Sequence, residues 1–428
     1  MADMSYRLGI TTVLAAVAAL LASVAPASAS HTARFGVQDD AWLMYGPGTL
    51  DQRVATLQDL GVGVVRLTID WNAVAPTRPA SPRDPSDPAY RWGAYADALN
   101  ALHAAGIPAI VTLWGSPRWA NLGHPANWLP ASGFGDFAYA AATEFPWVRQ
   151  WTAWNEPNSR TFSVPVSPRL YVQRVLNPAY AALHQASSAN EVAGGVTSPR
   201  QSPSGMAPLS FMAGMHAAHA RLDAYAQNPY PASPKETPNT DPCRYCTTLS
   251  MAHLAQIRAD VTRYFGSKPI WLTEYGYQTN PPDRLLGVSP AKQAAYEAEA
   301  ALKVWQQAGV TVLIHFLVKD EPELGGWQSG FLTSRGSQKL SYAGFGLPLA
   351  EVSRRGTTTV VWGQVRPGHG GRKYVLQRWT GHGWAAVGGT HTTDSTGSFT
   401  RTISASPGQR LRVTSPEATY ASPALTIS

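Results

Sequence analysis

Three phrases of one form decide the fold: GVGVVRLTI at Gly61–Ile69, GIPAIVTLW at Gly106–Trp114 and GVTVLIHFL at Gly309–Leu317. Each opens on a glycine that closes a segment of helical period, then runs into a nearly unbroken apolar stretch. Apolar runs without alternation are strands covered on both faces, as in a parallel sheet. Outward from these phrases the same grammar recurs. Strands are expected at 34–38, 64–69, 109–113, 148–154, 192–197, 222–227, 270–273 and 310–316. Helical period appears at 50–60, 94–104, 170–186, 252–265 and 291–308, with Thr49 and Ser289 as N-caps. Gly61, Gly106, Gly266 and Gly309 end four of these segments. Eight strands, each but the last followed by a helix, predict an α/β chain folded as a (β/α)8 TIM barrel over residues 31–348. A doubly wound open sheet is the competing arrangement. It would need a Gly-rich phosphate loop after the first strand, where GVQDDAWL stands instead.

From Thr357 the grammar changes to TTTVVWGQV, KYVLQRWTG, GWAAVGG, GSFTRTISA and QRLRVTS, short runs between Gly, Pro and polar turns. Residues 350–428 are therefore expected to form a small all-β, sandwich-like accessory domain. Hydrophobic residues make up 44% of the 428 and charged ones 14%, enough for a large core and unlike a disordered chain. At the other end, Arg7, the apolar run 8–24 and Ala27-Ser28-Ala29 read as a cleavable export signal over 1–29. The expectation is a secreted, extracellular protein with no stable membrane insertion. Cys243 and Cys246 are then expected to close a small structural disulfide.

The net charge of +7 is uneven: residues 350–428 hold nine Lys and Arg against three Asp and Glu. A basic tail offers contact with an anionic cell-wall polymer, and a plain soluble domain with exposed arginines is the equal alternative. No motif supports nucleic-acid binding, no cofactor is called for, and a monomer is expected. Metal-ligand spacing such as H-E-x-x-H is absent from the sequence.

In a barrel of this kind the chemistry sits at the C-terminal strand ends and the loops beyond them. Those ends read Asp39 and Asp40; Arg66, Asp70 and Trp71; Trp114 and Trp119; Asn155-Glu156; Asn228 and Tyr230; Glu274, Tyr275 and Tyr277; His315, Phe316 and Asp320. The collection is rich in carboxylates and flat aromatic faces, which suit the apolar C–H patches and polar rims of sugar rings. Asp39, Asp70 and Asp320 stand open between loop caps and sugar contacts. His315 reads as a hydrogen-bonded core residue. Glu156, ending strand four, and Glu274, ending strand seven, can face each other across the barrel mouth. Retaining glycoside hydrolysis needs two such carboxyl groups, one protonated and one ionised. Pro157 is expected to hold Glu156 in extended backbone. The ionised member of such a pair should raise the pKa of the protonated one.

WNEPN at Trp154–Asn158, with WLTEYGY at Trp271–Tyr277, resembles the large clan of retaining (β/α)8 glycoside hydrolases that includes the cellulase-like (family 5) and β-xylosidase-like (family 39) enzymes. TLWGSPRWA at the third strand and GFLTSRGSQKLSYAGF after the eighth fit the same pattern. The resemblance covers about residues 31–348. It implies Glu156 as acid/base, Glu274 as nucleophile and Asn155 as a hydrogen-bond partner of the sugar 2-hydroxyl. It also implies that Arg66 and Tyr230 orient and charge-stabilise Glu274, whose pKa the positive charge of Arg66 should lower. Asn228 and Tyr230 stand in NPY where relatives carry His-x-Tyr. Phe316 or His315 replaces the usual Trp under the first sugar. Trp71, Trp114, Trp119, Phe316 and Tyr277 are further candidate substrate contacts. The function implied is double-displacement cleavage of a poly- or oligosaccharide. A non-catalytic carbohydrate-binding protein on the same barrel, or a transglycosylase using the same pair, stays open.

Overall fold

The computed structural model describes residues 33–243, 247–368 and 370–428, so the expected signal at 1–29 and Cys246 lie outside the described residues. Eight parallel strands close in sequence order: β1 (Arg34–Gln38), β2 (Val64–Asp70), β3 (Ala109–Trp114), β4 (Gln150–Ala153), β5 (Glu191–Thr197), β6 (Ala224–Gln227), β7 (Ile270–Tyr275) and β8 (Val310–Phe316). β8 pairs back onto β1, with Val37 beside His315. The chain is thus an α/β barrel, as the repeated helix–Gly–strand phrase predicts. The glycines act as expected: Gly61, Gly106, Gly266 and Gly309 all have φ between 71° and 88°, a region costly for other residues. Gly36 serves differently, because a Cβ there would lie 2.0 Å from the Val64 carbonyl oxygen of β2.

Alternation along each strand sorts the side chains. Val64, Ile110, Ala224, Trp271 and Val312 form an apolar cluster. Further along the same faces stand Arg66, Thr112 and Thr273, all fully buried. The barrel interior therefore turns from apolar to polar toward the strand ends. The opposite parity, Val65, Leu67, Ile69, Val111 and Leu113, packs in the main core cluster that includes the helices.

The expected helices form, one of them interrupted, and β8, expected to lack one, is also followed by a helix, Leu340–Gly346. Thr49 and Gln52 form a reciprocal capping box on the helix Leu50–Leu60, and Ser289 caps Pro290–Gln306. The expected helix at 170–186 is broken into Pro168–Tyr171, a π-helical turn Val172–Leu176 and Asn177–Ala186. Pro178 has no N–H to offer the previous turn, and the wider turn absorbs that loss.

Beyond the barrel come β9 (Leu349–Arg355), β10 (Thr358–Gln364), β11 (Lys373–Trp379), β12 (Trp384–Ala386), β13 (His391–Thr392), β14 (Ser398–Ser404), β15 (Arg410–Thr414) and β16 (Leu425–Thr426). One sheet runs β14-β10-β9; the other runs β12-β11-β15-β16, with β13 on β11. Val361, Phe399 and Ile403 of the first share a core with Tyr374, Leu376, Leu411 and Val413 of the second. That is a sandwich. It packs on the barrel through Trp362, buried beside Trp305 at 5.8 Å between ring centroids, and through the Tyr420 hydroxyl, which donates to the Asp59 carbonyl at 3.0 Å. No helix among the described residues is long and apolar enough to cross a membrane.

Candidate active site

β2 brings Arg66 to the polar end of the barrel, where its side chain is wholly buried. Its Nη1 lies 2.5 Å from Glu274 Oε1. Nη2 donates to Asn155 Oδ1 at 2.8 Å, Nε donates to Thr112 Oγ1 at 2.9 Å, and Nη1 also meets Gln38 Oε1. One guanidinium thus ties β1, β3, the exit of β4 and β7 together. A buried arginine without such partners would cost several kcal/mol. The second oxygen of Glu274, Oε2, accepts from the Tyr230 hydroxyl at 3.1 Å. Burial, then the negative charges of Glu274 and Glu156, push the Tyr230 phenol well above its ordinary range, so it stays a donor.

Strict alternation does not by itself turn both Thr273 and Glu274 to the same side. The β7–β8 register shifts between Leu272 and Tyr275, where three steps on β7 match two on β8. The extra residue of this bulge re-aims the strand end and lets Glu274 join Arg66.

Glu156 arrives by a different route. Its expected extended backbone is not what the chain adopts: φ is 40° at Glu156 and 75° at Trp154. β4 ends at Ala153, and the chain turns back before reaching the carboxylate. The Glu156 N–H donates to the Val196 carbonyl at 2.9 Å, which overrides the local preference imposed by Pro157. Val196 itself sits at φ 47°, inside a register shift of β5 against β6. The side chain of Glu156 accepts from Asn228 Nδ2 at 3.1 Å. Asn228 is oriented in turn by the Thr273 hydroxyl, 2.7 Å from its Oδ1. The protein hems in the Glu156 carboxyl. Burial, and after it the negative charge of Glu274, pushes this group up to about 8. At neutral pH it holds its proton. The site therefore sets a protonated carboxylic acid against a carboxylate gripped at both oxygens.

Arg66, Asn155, Glu156, Asn228, Tyr230 and Glu274 form one connected constellation. Phe316 joins it edge-on to Tyr230, with centroids 6.4 Å apart. Trp114 and Trp119 remain half-buried, their indole N–H groups held by the carbonyls of Phe162 (3.3 Å) and Ala75 (2.9 Å). Among the described residues neither touches the constellation by ring contact or hydrogen bond, and two further candidates are closed off by burial. Trp71 is 1% exposed and stacks on Phe137 at 5.2 Å between centroids; it fills the core and presents no ring face to a ligand. Its strand has already ended, and it begins the short helix Trp71–Val74 that Asp70 caps. Tyr277 is 2% exposed, donates to the Glu236 carbonyl at 3.1 Å and packs on Tyr275 and Tyr296.

The open acids resolve as structural. Asp39 accepts from the Trp42, Val318 and Lys319 N–H groups, closing β1 onto the loop after β8. Asp320 pairs with Lys339 at 2.7 Å. His315 lies between Glu297 (2.9 Å) and the Ser329 carbonyl (2.8 Å), in the core.

Sequence reasoning missed Trp327. From the loop after β8 it meets Tyr230 at 4.9 Å and Phe316 at 5.6 Å, 88°. It supplies a half-buried indole beside the residues that hold Glu274. Its only signal in the chain is its place in a strand-to-helix loop. Arg200, beyond β5, was also missed. It donates to the Tyr230 carbonyl at 2.8 Å, and its charge favours the ionised form of Glu156.

No protein-family model matches the chain, and no curated protein matches it in sequence. Solved structures do match. A glucosidase from Croceicoccus marinus superposes with a TM-score of 0.59 at 14% identity, over 90% of this chain and 98% of that one. A monomeric β-xylosidase from Caulobacter crescentus gives 0.56 at 13% identity, over 89% and 95%. A GH5_18 enzyme from Streptomyces cattleya, solved with GlcNAc, gives 0.54 at 16% identity, over 74% and 79%. The first two matches extend past the barrel into the β sandwich. The fold of this chain, barrel and sandwich together, is that of the glucosidase and the β-xylosidase.

Proposed function

We propose that the protein is a retaining glycoside hydrolase acting on a poly- or oligosaccharide outside the cell. The observation that carries this reading is the unequal treatment of two neighbouring carboxyl groups. Arg66 and Tyr230 take one oxygen of Glu274 each, while Glu156 is held as the acid at about 8. In the first step Glu156 gives its proton to the departing glycosidic oxygen as Glu274 attacks the anomeric carbon; the C–O bond breaks and a glycosyl ester forms. In the second, Glu156, now a carboxylate, takes a proton from water. The resulting nucleophile attacks the same carbon, and Glu274 leaves as carboxylate. Asn155, fixed by Arg66, stands beside the pair to bind a hydroxyl of the reacting sugar. Phe316 and Trp327 offer apolar ring faces to it.

Export through residues 1–29, a Cys243–Cys246 bridge and a monomeric state belong to the same proposal. Incubation with 2-deoxy-2-fluoro aryl glycosides tests it: intact-mass measurement should show one added glycosyl group, mapped by digestion to Glu274. Turnover of the parent glycosides with no adduct on Glu274 would remove it as nucleophile. Absence of both turnover and adduct across a panel of sugars would favour the non-catalytic carbohydrate binder.

A further inference from the structure

The outward face of the second sheet of the sandwich gathers two tryptophans and two arginines. Along β11 the inward residues are Tyr374 and Leu376, and along β15 they are Leu411 and Val413. The opposite parity faces out: Gln377 and Trp379, then Arg410 and Arg412. Register places Trp379 opposite Trp384 of β12 and Gln377 opposite Arg412. The two indoles meet at 5.4 Å, 62°. The Arg410 guanidinium lies 5.7 Å from one ring and 5.8 Å from the other, and that of Arg412 lies 4.4 Å from Trp384. Both indoles are half-buried and Arg410 is exposed.

Neither arginine is neutralised. The sandwich carries three carboxylates, and each is engaged elsewhere. Glu351 holds Arg354 and Ser428; Glu417 pairs with Arg372; Asp394 caps the turn through the N–H groups of Thr396 and Ser398. Among the described residues, no salt bridge reaches Arg410 or Arg412. Arg412 donates its Nε to Gln377 at 2.7 Å, which fixes the fork without cancelling its charge.

We infer that this face, Trp379, Trp384, Arg410 and Arg412, binds an acidic polysaccharide, a glycan whose sugars carry carboxylates. Sugar C–H faces pack on indole, and each guanidinium offers paired donors to a carboxylate. The geometry asks for ring faces and anionic groups alternating along one chain. Choosing a glycan over another polyanion rests on the glycosidase reading of the barrel, since stacked aromatics and arginines also suit single-stranded nucleic acid.

The test uses the full chain in native affinity electrophoresis through gels holding polygalacturonate, cellulose derivatised only with neutral groups, or a single-stranded DNA oligomer. Expected is retardation by polygalacturonate that weakens as salt rises, little retardation by the neutral polymer, and an affinity about tenfold lower in Trp379→Ala/Trp384→Ala and in Arg410→Gln/Arg412→Gln. Each variant should keep wild-type melting and wild-type turnover of a soluble aryl glycoside. Equal retardation of variants and wild type, equal retardation by the neutral polymer, or preference for DNA would overturn the inference. Because turnover is read separately, a wild-type chain that turns over the aryl glycoside but is not retarded by polygalacturonate removes this inference alone. Absent turnover with polymer binding intact removes the barrel reading alone.

Discussion

Arg66 on β2 reaches across the barrel to Glu274 on β7, Nη1 to Oε1, at 2.5 Å, with no solvent exposure on the arginine side. The same guanidinium holds Asn155, so the placing of the carboxylate and of the neighbouring amide is one event. Arg66→Lys keeps the charge and replaces a fork with a single point. Turnover of an aryl glycoside should fall by about a hundredfold, because Asn155 and Glu274 are no longer fixed together. Arg66→Ala should in addition destabilise the fold by about 3–5 kcal/mol, leaving Glu274 buried without its partner. Steady-state kinetics and thermal melting separate the two effects.

Glu156 makes a prediction in pH. Its folded value near 8 lies above the ordinary carboxyl value of 4.5. Activity should therefore hold through neutrality and fall as pH rises through about 8, as the proton donor is lost. The stability linked to this raised pKa is fully present below the unfolded value and is lost as pH climbs toward the folded one. Glu156→Gln should abolish the alkaline limb of the rate profile. It should melt higher than wild type at alkaline pH and alike at pH below the ordinary carboxyl value. An unchanged alkaline limb in that variant would assign the proton donor elsewhere.

Trp327 lies against Tyr230 and Phe316 and keeps part of its ring open. Trp327→Ala should lower kcat/KM about tenfold with little change in melting, since the residue is not core. Trp327→Phe should recover part of the loss. A drop in melting with unchanged kinetics would make it a packing residue.

The loop that carries Trp327 is tied from beneath. Lys339 Nζ donates to Asp320 Oδ1 (2.7 Å), Thr279 Oγ1 (2.8 Å) and the Gln328 carbonyl (2.9 Å), almost wholly out of solvent. Lys339→Met should cost about 3–5 kcal/mol by stranding Asp320, and Lys339→Met with Asp320→Leu should return much of it. Denaturant unfolding measures both. Because the double variant still frees the Gln328 carbonyl, its KM should remain raised after stability recovers.

Much of this was legible in the chain because it is local. Helix–Gly–strand phrases mark the entries to β2, β3, β7 and β8, and Thr49 and Ser289 announce helix starts with their own side chains. Glu156 and Glu274 could be paired because both stand at strand ends on one barrel mouth, and the family resemblance added Arg66 to Glu274. What escaped depends on partners remote in sequence. The left-handed turn at Glu156 answers a carbonyl on β5, forty residues on. Trp71 and Tyr277 carry the aromatic character of cleft residues, and only the helix layer shows that they point away from it. Trp327 lies in a loop without period, where no pattern says which side chain returns to the site.

The bulged bend in β5 has a consequence for anyone seeking a hardier protein. Val196 and Glu156, neither of them glycine, share a left-handed backbone and a 2.9 Å hydrogen bond. A β-branched residue in that region carries a conformational penalty on the order of 1–3 kcal/mol. Thermal selection would readily relieve it with glycine at 196. The relief would slacken a backbone tie that aims the Glu156 carboxyl, so the variants that survive heating best are the ones to suspect of slow catalysis.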